Sequence, residues 1–177
     1  LMVEFKEDNK QSTTGNGKFL NTIEGIDCEL YHIDPPPHDS EYFHSQLKAT
    51  DSYFRSVSYN EFGIDTIFSI ILPIDNSPYE LPYEMSHYYP YGQDSIADKR
   101  LTDLYIHSLD AAYGKDAVNF SDYDLVIVFH AGIGQDFSLP FLDPTPEDIP
   151  STYIDSDMIF ESIGSSIITI GNATISK

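Results

Sequence analysis

The sequence predicts an α/β protein with helices packed on a largely parallel sheet, and three observations carry that reading. Apolar, β-branched runs alternate with segments of helical periodicity in the order β-α-β-α-β, and two further strands follow. The run Leu125 to Phe129 is uninterrupted and apolar, as suits a strand covered on both faces. Its exit, His130-Ala-Gly-Ile-Gly134, puts a titratable ring and two glycines at the strand's carboxyl end, where open α/β sheets carry ligands.

Taken in order, Leu1 to Phe5 is the first strand, and residues 6–38 are a long polar connection holding Gly15, Gly17, Gly25 and the triplet Pro35-Pro36-Pro37. A loop of that length in a compact domain is functional, mobile or partly structured. Asp39 or Ser40 caps the first helix, whose stripe is Phe43, Leu47, Thr50, Phe54 and Val57 and which ends near Ser58 to Asn60. Phe62 to Leu72, rich in Ile, Phe and Thr and stopped by Pro73, reads as the second strand. Residues 74–94 form an irregular, tyrosine- and proline-rich connection (Tyr79, Pro82, Tyr83, Tyr88, Tyr89, Tyr91). Such tyrosines cover a sheet edge with their hydroxyls wet, or form a sugar- or peptide-binding surface.

Ser95 and Asp98 resemble a capping box for the second helix, which shows Leu101, Leu104, Tyr105, Ser108 and Ala112 on one face and which Gly114 terminates. After the third strand, Gln135 to Ser151 is irregular and carries Pro140, Pro144, Pro146 and Pro150. Asp157 to Ile163 is a short helical turn. Ser165 to Ile170 and Ala173 to Ile175 flank Gly171-Asn172 as a C-terminal hairpin.

A length of 177 residues suits one domain with a real core, so residues 1–177 are expected to form a single domain. The 29 acidic against 9 basic residues give a formal charge of −20, which argues against nucleic-acid and anionic-membrane partners. The charge fits solubility, with calcium held by clustered carboxylates as the second reading. Cys28 is the single cysteine, so an intrachain disulfide and a thiolate metal cluster are both excluded. No apolar run reaches membrane-spanning length, and no signal peptide is recognisable. Both ends lie in or near strand-like runs, so the chain is expected to be a piece of a longer polypeptide.

The histidines are His32, His38, His44, His87, His107 and His130, and no pair has the i, i+4 spacing that puts two imidazoles on one helical face for zinc. His38 and His44 bracket the first helix start, and His107 reads as a polar-face residue of the second helix. His130 reads as a structural histidine bonded to a neighbouring loop, with a site residue as the alternative. No G-x-S-x-G elbow occurs, and Gly132-Ile-Gly134 lacks the rest of a dinucleotide fingerprint. Carboxylates abound (Asp122, Asp124, Asp136, Asp143, Asp155, Asp157), and Asp155, Asp157 and Glu161 come nearest to a calcium set. Asn119 and Asn172 match glycosylation sequons.

Three phrases occur in a telling order: Leu1-Met-Val-Glu-Phe5, then Tyr53-Phe-Arg-Ser-Val-Ser-Tyr59 at a helix end, then Phe120 to Gly134 with its Tyr-Asp pair, apolar strand and His-Ala-Gly-Ile-Gly exit. Together they resemble the catalytic domain of immune-inhibitor-A-type secreted zinc metallopeptidases. That resemblance covers residues 1 to about 134 and implies the amino-terminal part of a zincin-like domain, a twisted mixed sheet with two main helices. It also implies an extracellular or cell-surface protein of bacterial or archaeal type. Two departures stand beside it. Tyr123-Asp124 runs straight into Leu125 without the family's calcium-type insertion, and H-E-x-x-H with its general-base glutamate does not occur. The Asp143 to Pro150 loop has no family counterpart.

The expectation is therefore an amino-terminal scaffold portion of a zinc metallopeptidase-like domain, inactive as this chain, with no catalytic, cofactor or metal residue assigned here. Zinc, with calcium second, belongs to the intact parent. The expected partners are the rest of its own polypeptide and an extended peptide at the sheet edge. The alternative is a degenerate, non-catalytic homologue that binds protein or glycan outside the cell.

Overall fold

The computed structural model of the chain describes residues 1–22, 35–135 and 143–176, so Cys28, His32 and Asp136 lie outside the described residues. Two compact units are formed, one by Leu1–Lys18 with Pro78–Lys177 and the other by Phe19–Ser77.

The first unit is built on a three-stranded parallel sheet. Strand β1 (Met2–Glu4) lies in the centre, between β2 (Tyr79–Glu80) and β3 (Phe129–His130). The registers are Val3 opposite Tyr79 on one side and Val3 opposite His130 on the other. Met2, Val3 and Phe5 are wholly buried, as expected for a strand covered on both faces. The predicted α/β class and parallel sheet are present, while the antiparallel hairpin forms a sheet of its own.

The longest helix of this unit, α3 (Ala97–Asp116), buries Leu101, Leu104, Tyr105, Ser108 and Ala112 as the periodicity predicts, and Thr102 and Leu109 with them. It touches β2, the short helix α2 (Met85–Tyr88), α4 (Ser156–Ile163) and β4 (Ile167–Ile170). Its ends differ from expectation. A single 3-10 turn, Asp94–Ile96, leads into it and no side chain caps it, so Ser95 and Asp98 form no capping box. Gly114 lies inside the helix, and the left-handed residue that ends it is Ala117. Helix α4, expected as a short turn over Asp157 to Ile163, starts one residue earlier: the Asp155 carboxylate accepts from the Asp157 and Met158 amides, and Gly164 closes the other end at φ 72°. Strand β4 and β5 (Ala173–Ser176) pair across Gly171-Asn172 as predicted.

In the second unit, α1 (Ser40–Val57) starts where the sequence places it. The Asp39 carboxylate accepts the Tyr42 amide at 3.0 Å. Phe43 and Leu47 are buried, but the stripe fades toward the carboxyl end, where Val57 is exposed.

The predicted second strand, Phe62 to Leu72, is absent. The Asp65 carboxylate accepts the Ile67 and Phe68 amides at 3.0 and 3.3 Å, and the Ser69 amide donates back to the Asp65 carbonyl. This local bonding folds the segment into a turn and leaves Ile67 85% and Phe68 81% exposed. The second strand of the sheet is instead Tyr79–Glu80, inside the stretch 74–94 that reads as irregular, which also contains α2. The third strand is likewise shorter than expected. Only Phe129–His130 joins the ladder, and Leu125 is half exposed, so the run is not covered on both faces throughout.

Gly171 sits at φ 58°, and a Cβ there would lie 2.2 Å from the Tyr113 ring. Gly171→Ala is expected to cost about 1–2 kcal/mol from the left-handed backbone alone, with the ring clash in addition. Urea unfolding checks this, and an unchanged midpoint would contradict it.

Candidate functional site

A groove of about 410 Å³ opens in the first unit, lined by Lys6, Lys10, Pro82, Tyr83, Glu84, Ser86, His87 and Glu147. It is built from the segments that leave the carboxyl ends of β1 and β2, the end at which parallel α/β sheets carry ligands.

Three chain segments form its walls. After β1 the chain loops out and returns, with the Phe5 amide donating to the Gly17 carbonyl at 2.9 Å and the Asp8 amide to Asn16 at 3.3 Å. Gly17 is required here, at φ 82°, where an added Cβ would lie 3.1 Å from the Phe5 Cβ and 3.2 Å from the Lys6 carbonyl oxygen. The second wall runs from β2 through Pro82 into α2. The third is the proline-punctuated loop at 143–150, fixed to the first by buried Asp148, whose two oxygens accept the Thr14 amide and the Thr14 hydroxyl, each at 2.6 Å. Next to it, Glu147 accepts from the Ser12 hydroxyl and, at 3.1 Å, from the Tyr91 amide. The loop without a family counterpart is thus a groove wall.

Charge in the groove is balanced. Lys10 donates to the Ser86 hydroxyl oxygen at 2.6 Å and pairs with Glu84 at 2.6 Å. The hydrogen bond between Lys10 and Glu84 raises the Lys10 pKa and lowers that of Glu84. Both side chains are nearly half exposed, so the pair is a positional device more than a source of stability. Lys6 makes no ion pair with a described residue within 4 Å; Glu84 feels its charge from farther away.

The floor is aromatic. The Tyr83 and His87 rings stack at 4.0 Å between centroids and 22° between planes. Arg100 donates to His87 Nε2 at 2.8 Å, and since arginine is donor only, the proton of neutral His87 sits on Nδ1. Burial, and after it the Arg100 charge, lowers the His87 pKa. Beneath it, wholly buried Tyr88 shares a 3.0 Å hydrogen bond with His107 Nδ1, and burial pushes the Tyr88 hydroxyl pKa up. Phe5 lies against Tyr88 at 5.7 Å and against His130 at 6.0 Å.

The sequence candidates take other places. His130 is the last residue of β3, with Nδ1 3.0 Å from the Ala131 carbonyl oxygen, a bonded strand-end histidine outside the groove lining. Gly132, at φ 94°, makes room for the Met85 side chain, whose methyl would lie 2.3 Å from a Cβ. His107 is corrected from polar-face residue to a half-buried partner of Tyr88. His38 packs on Tyr42 and Phe19. Asp155 caps helix α4 through one carboxylate oxygen, which accepts the Asp157 and Met158 amides. No group of three or more His, Cys, Asp or Glu able to hold a metal forms among the described residues, so the donors present do not make a zinc site. Of the tyrosines, Tyr79 and Tyr88 are core and Tyr83 belongs to the groove.

Lys6, Lys10, Ser86, His87, Arg100 and Glu147 were not marked by any motif. The available signal was position, since residues just beyond parallel strands are site candidates; without β2 that signal is lost for Glu84 to His87, while Tyr83 stands among the tyrosines read as edge cover or a binding surface. No family model, curated protein or solved structure matches this chain.

Because the folded state disfavours protonated His87, His87 favours folding fully above its ordinary pKa of 6.5, and this share fades as pH falls through and below that value. Urea titrations at about pH 7.5 and about pH 5.5 should therefore show a smaller acid-induced loss in His87→Gln than in the parent chain. An equal or larger loss in the variant would contradict the assignment.

Proposed function

We propose that this chain is the amino-terminal scaffold portion of an extracellular zinc metallopeptidase-like domain of zincin type. The observation that carries the reading is the pairing of two family-like phrases: Met2 stands opposite Phe129 and Val3 opposite His130, so the opening phrase and the His-Ala-Gly-Ile-Gly phrase form adjacent strands of one parallel sheet. The remaining phrase, Tyr53 to Tyr59, closes α1, in a separate compact unit.

On this reading the chain supplies a sheet, and peptide-bond hydrolysis belongs to the intact parent. The described residues do not fit a zinc set, so no catalytic step is assigned to them. On this reading an extended peptide would add to an edge of the sheet whose centre is β1.

A second reading, a non-catalytic binding module outside the cell, is favoured by the groove, which is complete within one unit of this chain.

The polypeptide encoded by the gene through the segment after Lys177 separates the two. Expressed with zinc, it should bind the metal and cleave an unstructured protein such as casein, while residues 1–177 do neither. A longer polypeptide that binds no zinc would overturn the scaffold reading.

A further inference from the structure

We propose that the groove beside α2 is a binding site for a carboxylate group, with Lys6 as its principal partner and Ser86 and His87 as additional donors. The proposal stands on the groove alone and holds under either reading of the parent protein.

The argument is an account of hydrogen-bonding capacity. Acceptors in the groove are engaged internally: Glu84 by Lys10, Glu147 by Ser12 and Tyr91, the Ser86 oxygen by Lys10, and His87 Nε2 by Arg100. Beside these engaged acceptors stand donors with no partner among the described residues. Lys6 carries three N–H groups and no ion pair among the described residues. Lys10 spends its bonds on Glu84 and Ser86 and keeps one N–H. The Ser86 hydroxyl proton and the His87 Nδ1 proton complete the set, the latter fixed on Nδ1 by Arg100. A lining rich in unspent donors calls for a ligand rich in acceptors.

Charge narrows the class. Two lysines face two glutamates in the same groove, so a monoanion is tolerated where a dianionic phosphate meets repulsion from Glu84 and Glu147. The formal charge of −20 disfavours polyanions as well. Tyr83, about half exposed and backed by the His87 ring, offers an apolar face to the rest of such a ligand. A small carboxylic acid and the carboxyl terminus of a peptide share this chemistry.

The test is an amide chemical-shift titration of the 177-residue chain with acetate, N-acetyl-dialanine, the amide of N-acetyl-dialanine, and inorganic phosphate. Saturable shifts at Lys6, Ser86 and His87 are expected with the two carboxylates and not with the amide. Equal affinity for both carboxylates identifies a small acid as sufficient, and tighter binding of the dipeptide identifies a peptide terminus. Lys6→Gln should weaken binding about tenfold, while Lys6→Arg keeps it, which separates loss of charge from loss of fold. Overturning results are no saturable shift at these residues, an equal response to the amide, tighter binding of phosphate, or unchanged affinity in Lys6→Gln.

Discussion

The first unit depends on one constraint, the pairing of β1 along both of its edges. Met2, Val3 and Phe5 are sealed from solvent, and the carbonyls of Leu1, Val3 and Glu4 accept the amides of Phe129, Ala131 and Leu81. These bonds close long loops, and each buried amide left without its partner would cost about 1–3 kcal/mol. Register is held with equal force, because a one-residue slip would carry Glu4, with Lys18 at 3.6 Å, into a position now filled by Val3. Tyr79 adds a tether at the far side of β2, its hydroxyl donating to Asp116 at the end of α3.

Everything that shapes the groove follows from that strand. Leaving β1, the chain delivers Lys6 and Lys10, and leaving β2 it delivers Tyr83 to His87, so parallel pairing brings both sets to one end of the sheet. Loop-to-loop bonds then replace the regular ladder. Asp148, buried and doubly bonded to Thr14, fixes residues 12–14 against 145–148, and Glu147 reaches the groove because Asp148 is held. The rings of Phe5, Tyr88, His107, Tyr83 and His87 fill the space below in continuous contact, so the groove floor is also core. Groove lining and core share side chains here, which is why His87 is expected to register in the stability of this unit.

Legibility in the sequence followed how local each determinant is. Helix α1 with its Asp39 cap, the short helix α4 near Asp157 to Ile163, the buried face of α3 and the Gly171-Asn172 hairpin are set by nearby residues, and each is placed by pattern, although the Asp155 cap and Gly164 stop of α4 were not named. The strands were harder. Phe62 to Leu72 has strand composition, but Asp65 captures its own following amides and no neighbour offers a ladder. Tyr79–Glu80 has only two residues and owes its conformation to β1, more than seventy residues away in sequence. The groove was invisible for the same reason: its residues come from three loops brought together by long-range pairing, and none belongs to a motif. His130 drew attention because it sits in a recognisable phrase, yet its ring is bonded to its own neighbour's carbonyl, while His87, in no phrase at all, lines the groove.

Native-state hydrogen exchange at the amides of Leu81, Phe129 and Ala131 tests the central role of β1 most directly. If pairing on both sides organises this unit, all three should exchange only through its global unfolding, with a common free energy that falls together when Val3 is replaced by Ala. Exchange of any of the three as fast as the Ile67 and Phe68 amides of the solvent-exposed turn, or a Val3→Ala effect confined to one side of the strand, would contradict it.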